Sequence, residues 1–176
     1  MSFCLKCGQQ GQLVIPEGDQ RERLVCSSCG HIHYENPKVI CGALVIHQDK
    51  VLLCRRAIEP RYGLWTLPAG FMELHETMEE GAARETWEEA EGVVNIEQLY
   101  CMYNIPRIGQ IYVLFKGNLQ DGQYGAGTES LECGLFGEDE IPWNELAFPS
   151  IERTLKHYFH DRQHGQFTLH LETISS

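Results

Sequence analysis

A segment rich in glutamate, GFMELHETMEEGAARETWEEAEG (residues 70–92), constrains the fold more than any other part of the sequence. Thr77 and Glu80 have the spacing of a capping box, in which each side chain accepts a hydrogen bond from the other residue's backbone amide. We therefore expect a helix that begins at Thr77 and runs to about Glu91. A loop rich in glycine and proline, GLWTLPAGF, leads into it.

Three glutamates of this predicted helix share one face. Glu85, Glu88 and Glu89 stand at positions i, i+3 and i+4, where side chains are neighbours. Carboxylates so close repel one another, and proteins offset such repulsion with a cation. Mg²⁺ and Mn²⁺ prefer oxygen ligands of this kind. Because most glutamate-rich helices are merely solvated, composition alone favours a solvated face, whereas the spacing favours a metal site.

The spacing resembles the Nudix box, G-x5-E-x7-R-E-U-x-E-E-x-G-U with U apolar. Six of its seven fixed positions recur in this sequence: Gly70, Glu76, Arg84, Glu85, Glu88 and Glu89. Two positions depart from the pattern. Thr86 occupies an aliphatic slot, and Glu91 stands where the second glycine is expected, with Gly92 one place later. Because that glycine commonly ends the helix, we expect the helix to run one residue further.

The resemblance to Nudix hydrolases extends from about residue 38 to about residue 150. It implies a Nudix α/β/α sandwich with a mixed sheet, and hydrolysis of a nucleoside diphosphate linked to another group. It also implies that Glu85 and Glu89 ligate catalytic Mg²⁺ or Mn²⁺ directly. Glu88 would be a further ligand or would position water, and the Gly70 carbonyl would complete the coordination. Arg84 would support these carboxylates.

Further candidates lie outside the box. The loop sequence GTESLE offers Glu129 and Glu132 as alternative general bases. Arg56, at the end of a predicted strand, is a candidate for a phosphate contact or an ordinary surface arginine. Arg107 and Gln110, in the turn NIPRIGQ, are candidates for substrate contact. Three aromatic residues can stack on adenine or flavin, although a core position is the alternative for each: Trp65, Tyr103 and Tyr112.

Four cysteines near the start form two C-x2-C pairs, each followed by glycine: Cys4, Cys7, Cys26 and Cys29. This is the arrangement of a zinc ribbon, and four cysteine ligands leave no open position for water, so we expect a structural Zn²⁺. His31 and His33 are interpreted as surface or packing residues. The other cysteines show no metal spacing and are interpreted as buried thiols: Cys41, Cys54, Cys101 and Cys133.

The sequence predicts two domains, a zinc ribbon at 1–36 and a Nudix domain at 37–176. The segment ICGALVIHQDKVLLCRR predicts a β-hairpin with a turn at 48–50. Further predicted elements are strands at 93–103, 111–119 and 131–136, a helix at 150–163 and an edge strand at 167–171.

The overall charge limits the classes of partner. A formal net charge of −11 argues against a broad nucleic-acid-binding face, which needs clustered Lys and Arg. The start MSFCLKCG lacks the features of a signal peptide, and the longest apolar run, residues 39–46, is too short to span a bilayer. We therefore expect a cytoplasmic protein that acts on a small nucleotide, without a membrane or nucleic-acid partner.

A zinc ribbon joined to a Nudix domain resembles the bacterial NADH pyrophosphatases. Those carry an SQPWPFPxS stretch after the box, whereas this chain has QLYCMYNIPRIGQIYVLF. FCLKCG, HYENPK, GLWTLPAGFMEL, NIPRIGQIYV and ESLECGLF instead resemble the plant chloroplast Nudix hydrolases that split FAD and ADP-ribose. That resemblance implies cleavage to AMP plus a second monophosphate, and a homodimer. NADH pyrophosphatase activity is one alternative. The other is a non-catalytic sensor of an ADP-ribose-type ligand, with the ribbon docking a partner.

Overall fold

The computed structural model describes residues 3–175, so the predicted domain bounds 1 and 176 lie outside it. The chain divides into two compact units, the first ending at Asn36 and the second beginning at Pro37. The first unit holds an antiparallel sheet of three strands, namely β1 (Gly11–Val14), β2 (Arg23–Cys26) and β3 (Ile32–His33). Since Cys26 ends β2, this sheet fixes the start of the second cysteine pair.

The second unit is built on one mixed sheet. Its strands are β4 (Lys38–His47), β5 (Lys50–Arg56), β6 (Trp65–Thr66), β7 (Ala69–Phe71), β8 (Val94–Ile105), β9 (Gln110–Leu119), β10 (Ser130–Phe136) and β11 (His170–Thr173). Six of them follow the order β10-β5-β4-β9-β8-β11, while β6 pairs with β5 and β7 pairs with β4. The pairs β4–β9 and β8–β11 are parallel, and the others are antiparallel.

Helices cover both faces of this sheet, namely α1 (Met78–Ala90) and α2 (Pro149–His164). Successive residues of a strand point to opposite faces. Accordingly, Leu44 of β4 packs in one core cluster with Leu155 of α2, and Val45 packs in the other with Ala82 of α1. The predicted α/β/α sandwich with a mixed sheet is confirmed. Among the described residues, no helix combines the length and the apolar character needed to cross a bilayer.

Local sequence signals place several elements correctly. The hairpin β4–β5 turns through Gln48 and Asp49, whose φ angles are 48° and 65°. The capping box of α1 is present. Thr77 Oγ1 accepts from the Glu80 amide at 3.2 Å, and the Glu80 carboxylate accepts from the Thr77 amide at 2.7 Å. These signals succeed because turns and caps depend on neighbouring residues alone.

The predicted extension of α1 is wrong. The helix ends at Ala90, and Glu91 itself takes the left-handed conformation, with a φ of 48°. The cause lies outside the helix. The Gly125 and Gly127 amides donate to the Ala90 and Glu89 carbonyls at 2.8 and 3.1 Å, so these carbonyls are satisfied without another helical residue.

The predicted strand at 167–171 is displaced toward the carboxyl end, because β11 begins at His170. Phe167 packs instead against the ring of Tyr100. His170 pairs with Cys101 of β8, and its Nε2 lies 2.8 Å from Asp161 Oδ2. Contacts with β8 and α2 therefore set the start of this strand, and its own alternation of apolar residues does not.

Asp161 joins α2 to β8 and β11, and this contact should depend on pH. Burial raises the pKa of this carboxyl, but the hydrogen bonds from His170 and Tyr100 outweigh burial and leave the pKa lowered. A carboxyl whose pKa is lower in the folded protein stabilises the fold above its unfolded pKa, about 3.9, and loses that effect as pH falls through the folded value. We expect Asp161→Asn to lose about 1–2 kcal/mol of unfolding free energy at neutral pH.

The same substitution should also flatten the decline of stability between about pH 5 and pH 2, which urea titrations at several pH values measure. Asp139→Asn, which changes an exposed aspartate, is the control. If the unfolding free energy of Asp161→Asn depended on pH as that of the wild type does, the lowered pKa of Asp161 would not contribute to stability.

Candidate active site

Helix α1 turns two of its glutamates toward the sheet. Glu85 and Glu89 are only 8% and 6% exposed, whereas Glu88 is exposed. The helix lies close to β4 because Gly81 faces Cys41, where an added Cβ would lie 2.4 Å from the sulfur. The sequence therefore places two carboxylates on the buried side of one helix.

The threonine that departs from the Nudix box is accommodated within the helix. Thr86 is fully buried, and its hydroxyl donates to the Ala82 carbonyl at 2.8 Å. The polar atom is thereby satisfied, and the packing of α1 on the sheet is kept.

Arg84 connects the acidic residues of the box. Its Nη1 donates to Glu85 at 2.7 Å and to Glu88 at 2.9 Å. Nε and Nη2 donate to the two oxygens of Glu76 at 2.9 and 2.8 Å. This two-point contact with Arg84 lowers the pKa of Glu76 to about 2. One cation therefore orients three carboxylates.

The backbone at Gly70 lies directly against one of the buried carboxylates. Gly70 belongs to β7, opposite Cys41 of β4. A Cβ at Gly70 would lie 2.4 Å from both oxygens of Glu85. Only glycine fits, and the peptide at this position can approach whatever the carboxylate binds.

The two buried carboxylates lack enough positive charge around them. Burial raises the pKa of Glu85, against the effect of Arg84. The pKa of Glu89 is raised to about 8, mainly by burial and secondly by the charge of Glu85, although Arg56 opposes the shift. Glu129 raises both pKa values further. Such carboxylates are stabilised when a cation binds between them, so this donor set fits a hard divalent metal.

These carboxylates open into a cavity of about 1080 Å³, lined by residues of the second unit. Its charged lining residues are Arg56, Arg61, Arg84, Arg107, Glu59, Glu73, Glu85, Glu88, Glu89 and Glu129. Counted at their formal charges, four arginines against six glutamates leave an excess of two negative charges. An anionic substrate enters such a cavity only with added cations, which agrees with the fit to a metal.

One part of the cavity wall is apolar, and of its residues the sequence indicates only Tyr112. Ile105, Tyr112, Phe148 and Ile174 line the cavity. They come from β8, β9 and two segments near the end of the chain. Ile174 is held by its amide, which donates to the Asn104 carbonyl at 2.9 Å. The pairing of β11 with β8 brings Ile174 close to Ile105, and no local pattern indicates a contact between segments so far apart in the chain.

The structure sorts the candidate substrate residues. Arg56, Arg107, Gln110 and Glu129 line the cavity. Arg56 also lies over the Phe148 ring, 5.3 Å from its centroid. Of the aromatic candidates, Tyr112 lines the cavity, while two belong to the buried core, namely Trp65 and Tyr103.

Glu132 does not line the cavity. Its carboxylate pairs with Arg55 on the neighbouring strand at 2.9 Å. A β-bulge between Ser130 and Glu132 separates it in register from the loop residue Glu129. Of the two candidate bases, only Glu129 stands near the glutamates of α1.

The loop that carries Glu129 is attached to the end of α1 by its backbone. As described above, the amides of Gly125 and Gly127 donate to carbonyls at the end of α1. The amide of Ala57, which follows β5, donates to the Glu129 carbonyl at 2.8 Å. A Cβ at Gly127 would lie 1.8 Å from the Glu88 carbonyl oxygen. The loop therefore approaches the helix too closely for any side chain at that position.

The first unit brings its four cysteines into one cluster, with all sulfurs within 4.8 Å of one another. The Cys4–Cys29 and Cys7–Cys26 sulfur separations are 3.7 and 3.5 Å. Zn–S bonds of about 2.3 Å in a tetrahedron give sulfur separations of about 3.8 Å, so the cluster fits Zn²⁺. His31 and His33 do not belong to this cluster.

Each cysteine pair forms a tight turn. The Lys6 and Cys29 amides point at the sulfurs of Cys4 and Cys26 at 3.4 Å. The glycines that follow, Gly8 and Gly30, have φ angles of 72° and 69°. These turns match the arrangement expected from the sequence.

Comparisons with known proteins agree with this architecture. The Nudix N-terminal zinc-ribbon family matches residues 2–35, and the NUDIX domain family matches residues 37–153. The crystal structure of a NUDIX hydrolase from Nitrosomonas europaea is 53% identical, with a TM-score of 0.97 and complete coverage of both chains. An ADP-ribose pyrophosphatase from Methanocaldococcus jannaschii is 31% identical over 71% of this chain and 75% of that protein.

A NAD-capped RNA hydrolase NudC from Vibrio cholerae is also similar, with 32% identity over 87% of this chain. The match spans only 57% of that longer protein. The match to the NUDIX domain covers well over half of the chain and includes the glutamates of α1 and the loop of Glu129. This chain therefore belongs to the Nudix hydrolase family and carries an N-terminal zinc ribbon.

Proposed function

We propose that this protein is a metal-dependent hydrolase that cleaves the pyrophosphate bond of an ADP-containing nucleotide, FAD or ADP-ribose, to AMP plus a second monophosphate. The observation that carries the proposal is the cavity, where buried carboxylates lie near an apolar wall. The carboxylates suit a pyrophosphate with its cations, and the apolar wall suits a flat ring or sugar. The ADP-ribose pyrophosphatase from M. jannaschii supports this class of substrate.

In this proposal, Glu85 and Glu89 hold Mg²⁺ or Mn²⁺, together with Glu88 and the Gly70 carbonyl. The bound metal would neutralise the pyrophosphate oxygens and lower the pKa of water. Arg84 keeps the carboxylates in position. Glu129 accepts a proton from the water whose oxygen attacks phosphorus.

The remaining cavity residues bind the substrate in this proposal. Arg56 and Arg107 contact phosphate oxygens, and Gln110 contacts a polar group of the substrate. The ring of Tyr112 stacks on the adenine or the flavin of the substrate. Cleavage of the bridging P–O bond then releases AMP and the second monophosphate.

Two alternatives are separable from this proposal. The similarity to the NAD-capped RNA hydrolase NudC from V. cholerae favours a substrate that contains NAD, whereas the absence of an SQPWPFPxS stretch in this sequence disfavours NADH pyrophosphatase activity. A non-catalytic sensor would not need three glutamates that repel one another. The intact set of Glu85, Glu88 and Glu89 therefore favours an enzyme.

A substrate panel tests the proposal. FAD, ADP-ribose and NADH are incubated with the protein and Mg²⁺ in ¹⁸O-labelled water, and the products are identified by mass spectrometry. We expect AMP from FAD or ADP-ribose, with the label showing which phosphorus is attacked. Faster turnover of NADH would favour the first alternative. No turnover of any of the three would contradict the enzyme proposal.

We also propose that residues 1–36 are a domain held by Zn²⁺ on the four clustered cysteines, next to a hydrolase domain at 37–176. Removing zinc with a zinc-selective chelator in excess Mg²⁺ should raise hydrogen exchange in the first segment, because a structural zinc contributes directly to folding. AMP release should change little. Loss of protection throughout residues 37–176 would contradict separate domains.

The homodimer implied by the sequence resemblance is also a proposal. Light scattering during size-exclusion chromatography tests it, with twice the mass of the chain as the expected result.

A further inference from the structure

Two cysteines outside the glutamate cluster lie directly opposite each other on neighbouring strands. Cys54 of β5 and Cys133 of β10 are partners in the antiparallel register. Cys54 belongs to the core cluster on the α1 face of the sheet, and Cys133 packs against that cluster. Cys54 is 1% exposed, while Cys133 is half-buried. The two thiols therefore point to the same side of adjacent strands.

The backbone hydrogen bonds show which kind of antiparallel pair they form. Arg56 donates to the Leu64 carbonyl and accepts from the Gly63 amide, so its backbone groups face away from β10. Backbone groups alternate in direction along a strand, so those of Cys54, two residues earlier, also face away from β10. The pair of Cys54 and Cys133 is thus non-hydrogen-bonded.

This geometry suits a covalent bond. In a non-hydrogen-bonded pair the Cα atoms lie about 4.5 Å apart, with the side chains closer than in the alternative pair. Disulfides span Cα separations of about 4.4–6.8 Å. The two strands can therefore accept a bond between the sulfurs without separating.

We propose that Cys54 and Cys133 are a reversible oxidation site, at which a peroxide joins the two sulfurs in a disulfide. Two thiols and one hydrogen peroxide give one S–S bond and two water molecules. The peroxide O–O bond breaks and takes up two electrons, and the thiols supply both protons. The half-buried Cys133 is the sulfur that a small oxidant reaches first, and Cys54 then attacks it.

Oxidation of this cysteine pair changes a contact with α1, the helix that carries Glu85 and Glu89. The Cys133 thiol donates to the Glu89 carbonyl at 3.4 Å. A disulfide removes that proton and draws the sulfur toward β5, away from α1. β10 also continues from the loop that carries Glu129. The disulfide therefore loosens the contact between this strand and the helix of the metal-binding glutamates, and the resulting loss of hydrolysis rests on the proposed function.

Peptide mapping tests the bond without reference to activity. Trypsin releases the two cysteines in separate peptides, residues 51–55 and 117–153, each with a single cysteine. After hydrogen peroxide treatment of the full chain loaded with zinc, and alkylation of free thiols, we expect these two peptides to be linked. Dithiothreitol should separate them. Absence of this linked pair, with both cysteines alkylated, would overturn the proposal.

Variants test the effect on activity. We expect peroxide to lower AMP release at least about fivefold in the wild-type protein, and dithiothreitol to restore it. Cys133→Ser, which keeps a donor to the Glu89 carbonyl, and Cys54→Ser should resist the loss. Cys101→Ala changes a buried thiol of the other core cluster and should remain sensitive. Equal losses in Cys133→Ser and wild type would overturn the link between this pair and the active site.

Discussion

Replacing Glu89 with glutamine is expected to reduce AMP release about 10³-fold. The amide keeps the size of the side chain but removes a negative charge from the buried side of α1. A catalytic metal contributes several kcal/mol of stabilisation to the charge of the transition state, and each ~1.4 kcal/mol changes the rate tenfold. Steady-state assays at saturating Mg²⁺ measure the loss, and Mn²⁺ titrations followed by electron paramagnetic resonance should show weaker metal binding.

The fold of this variant should persist. Glutamine removes the repulsion between Glu89 and Glu85, so the metal-free variant should unfold at the same temperature as the wild type or above it. Glu79→Gln, on the exposed face of the same helix, is the matched control and should keep wild-type activity. Wild-type hydrolysis by Glu89→Gln would show that the metal ligands are assigned wrongly.

Replacing Arg84 with alanine is expected to destabilise the metal-free protein by about 2–3 kcal/mol. The side chain is 27% exposed, and its partners Glu76 and Glu85 are 14% and 11% exposed. Removing one member of such a group leaves carboxylates desolvated and unpaired, which costs about 3–5 kcal/mol when the group is fully buried. Partial exposure places Arg84 below that range. Urea unfolding monitored by circular dichroism measures the difference.

Two further variants distinguish the loss of the hydrogen bonds that Arg84 makes from the loss of its charge alone. Arg84→Lys keeps the cation but cannot make the two-point contact with Glu76, so it should recover only part of the stability. Lys156→Ala breaks an exposed pair with Glu152 on α2 and should cost about 0.5 kcal/mol or less. If Arg84→Ala were no less stable than Lys156→Ala, the network would not support the fold.

The elements that the sequence predicts well depend on short-range chemistry. The capping box at Thr77, the cysteine turns and the face shared by Glu85 and Glu89 each follow from residues within one or two turns of chain. The continuous apolar run of β4 also indicates a strand that is buried on both faces of the sheet. The sandwich and the placement of the acidic helix could therefore be predicted from the sequence and its resemblance to the Nudix family.

The parts that could not be predicted depend on contacts between distant segments. Glu91 ends α1 because a loop some 35 residues later supplies hydrogen bonds to the carbonyls before it. Ile174 joins the cavity wall through the pairing of β11 with β8. Glu129 and Glu132 look equivalent in sequence, and only the bulge in β10 distinguishes them. Substrate contacts also depend on residues from distant segments, so they are the part of the site that the sequence predicts least well.

The attachment of the Glu129 loop to α1 has a consequence for how this site can diversify. The contacts are made by backbone atoms of Gly125 and Gly127, so they do not depend on the identity of most loop side chains. Neighbouring positions, such as the exposed Gln123, can change in the course of evolution while the distance from Glu129 to the glutamates of α1 is conserved. New substrates can therefore be acquired through loop substitutions, provided that the two glycines are inherited unchanged.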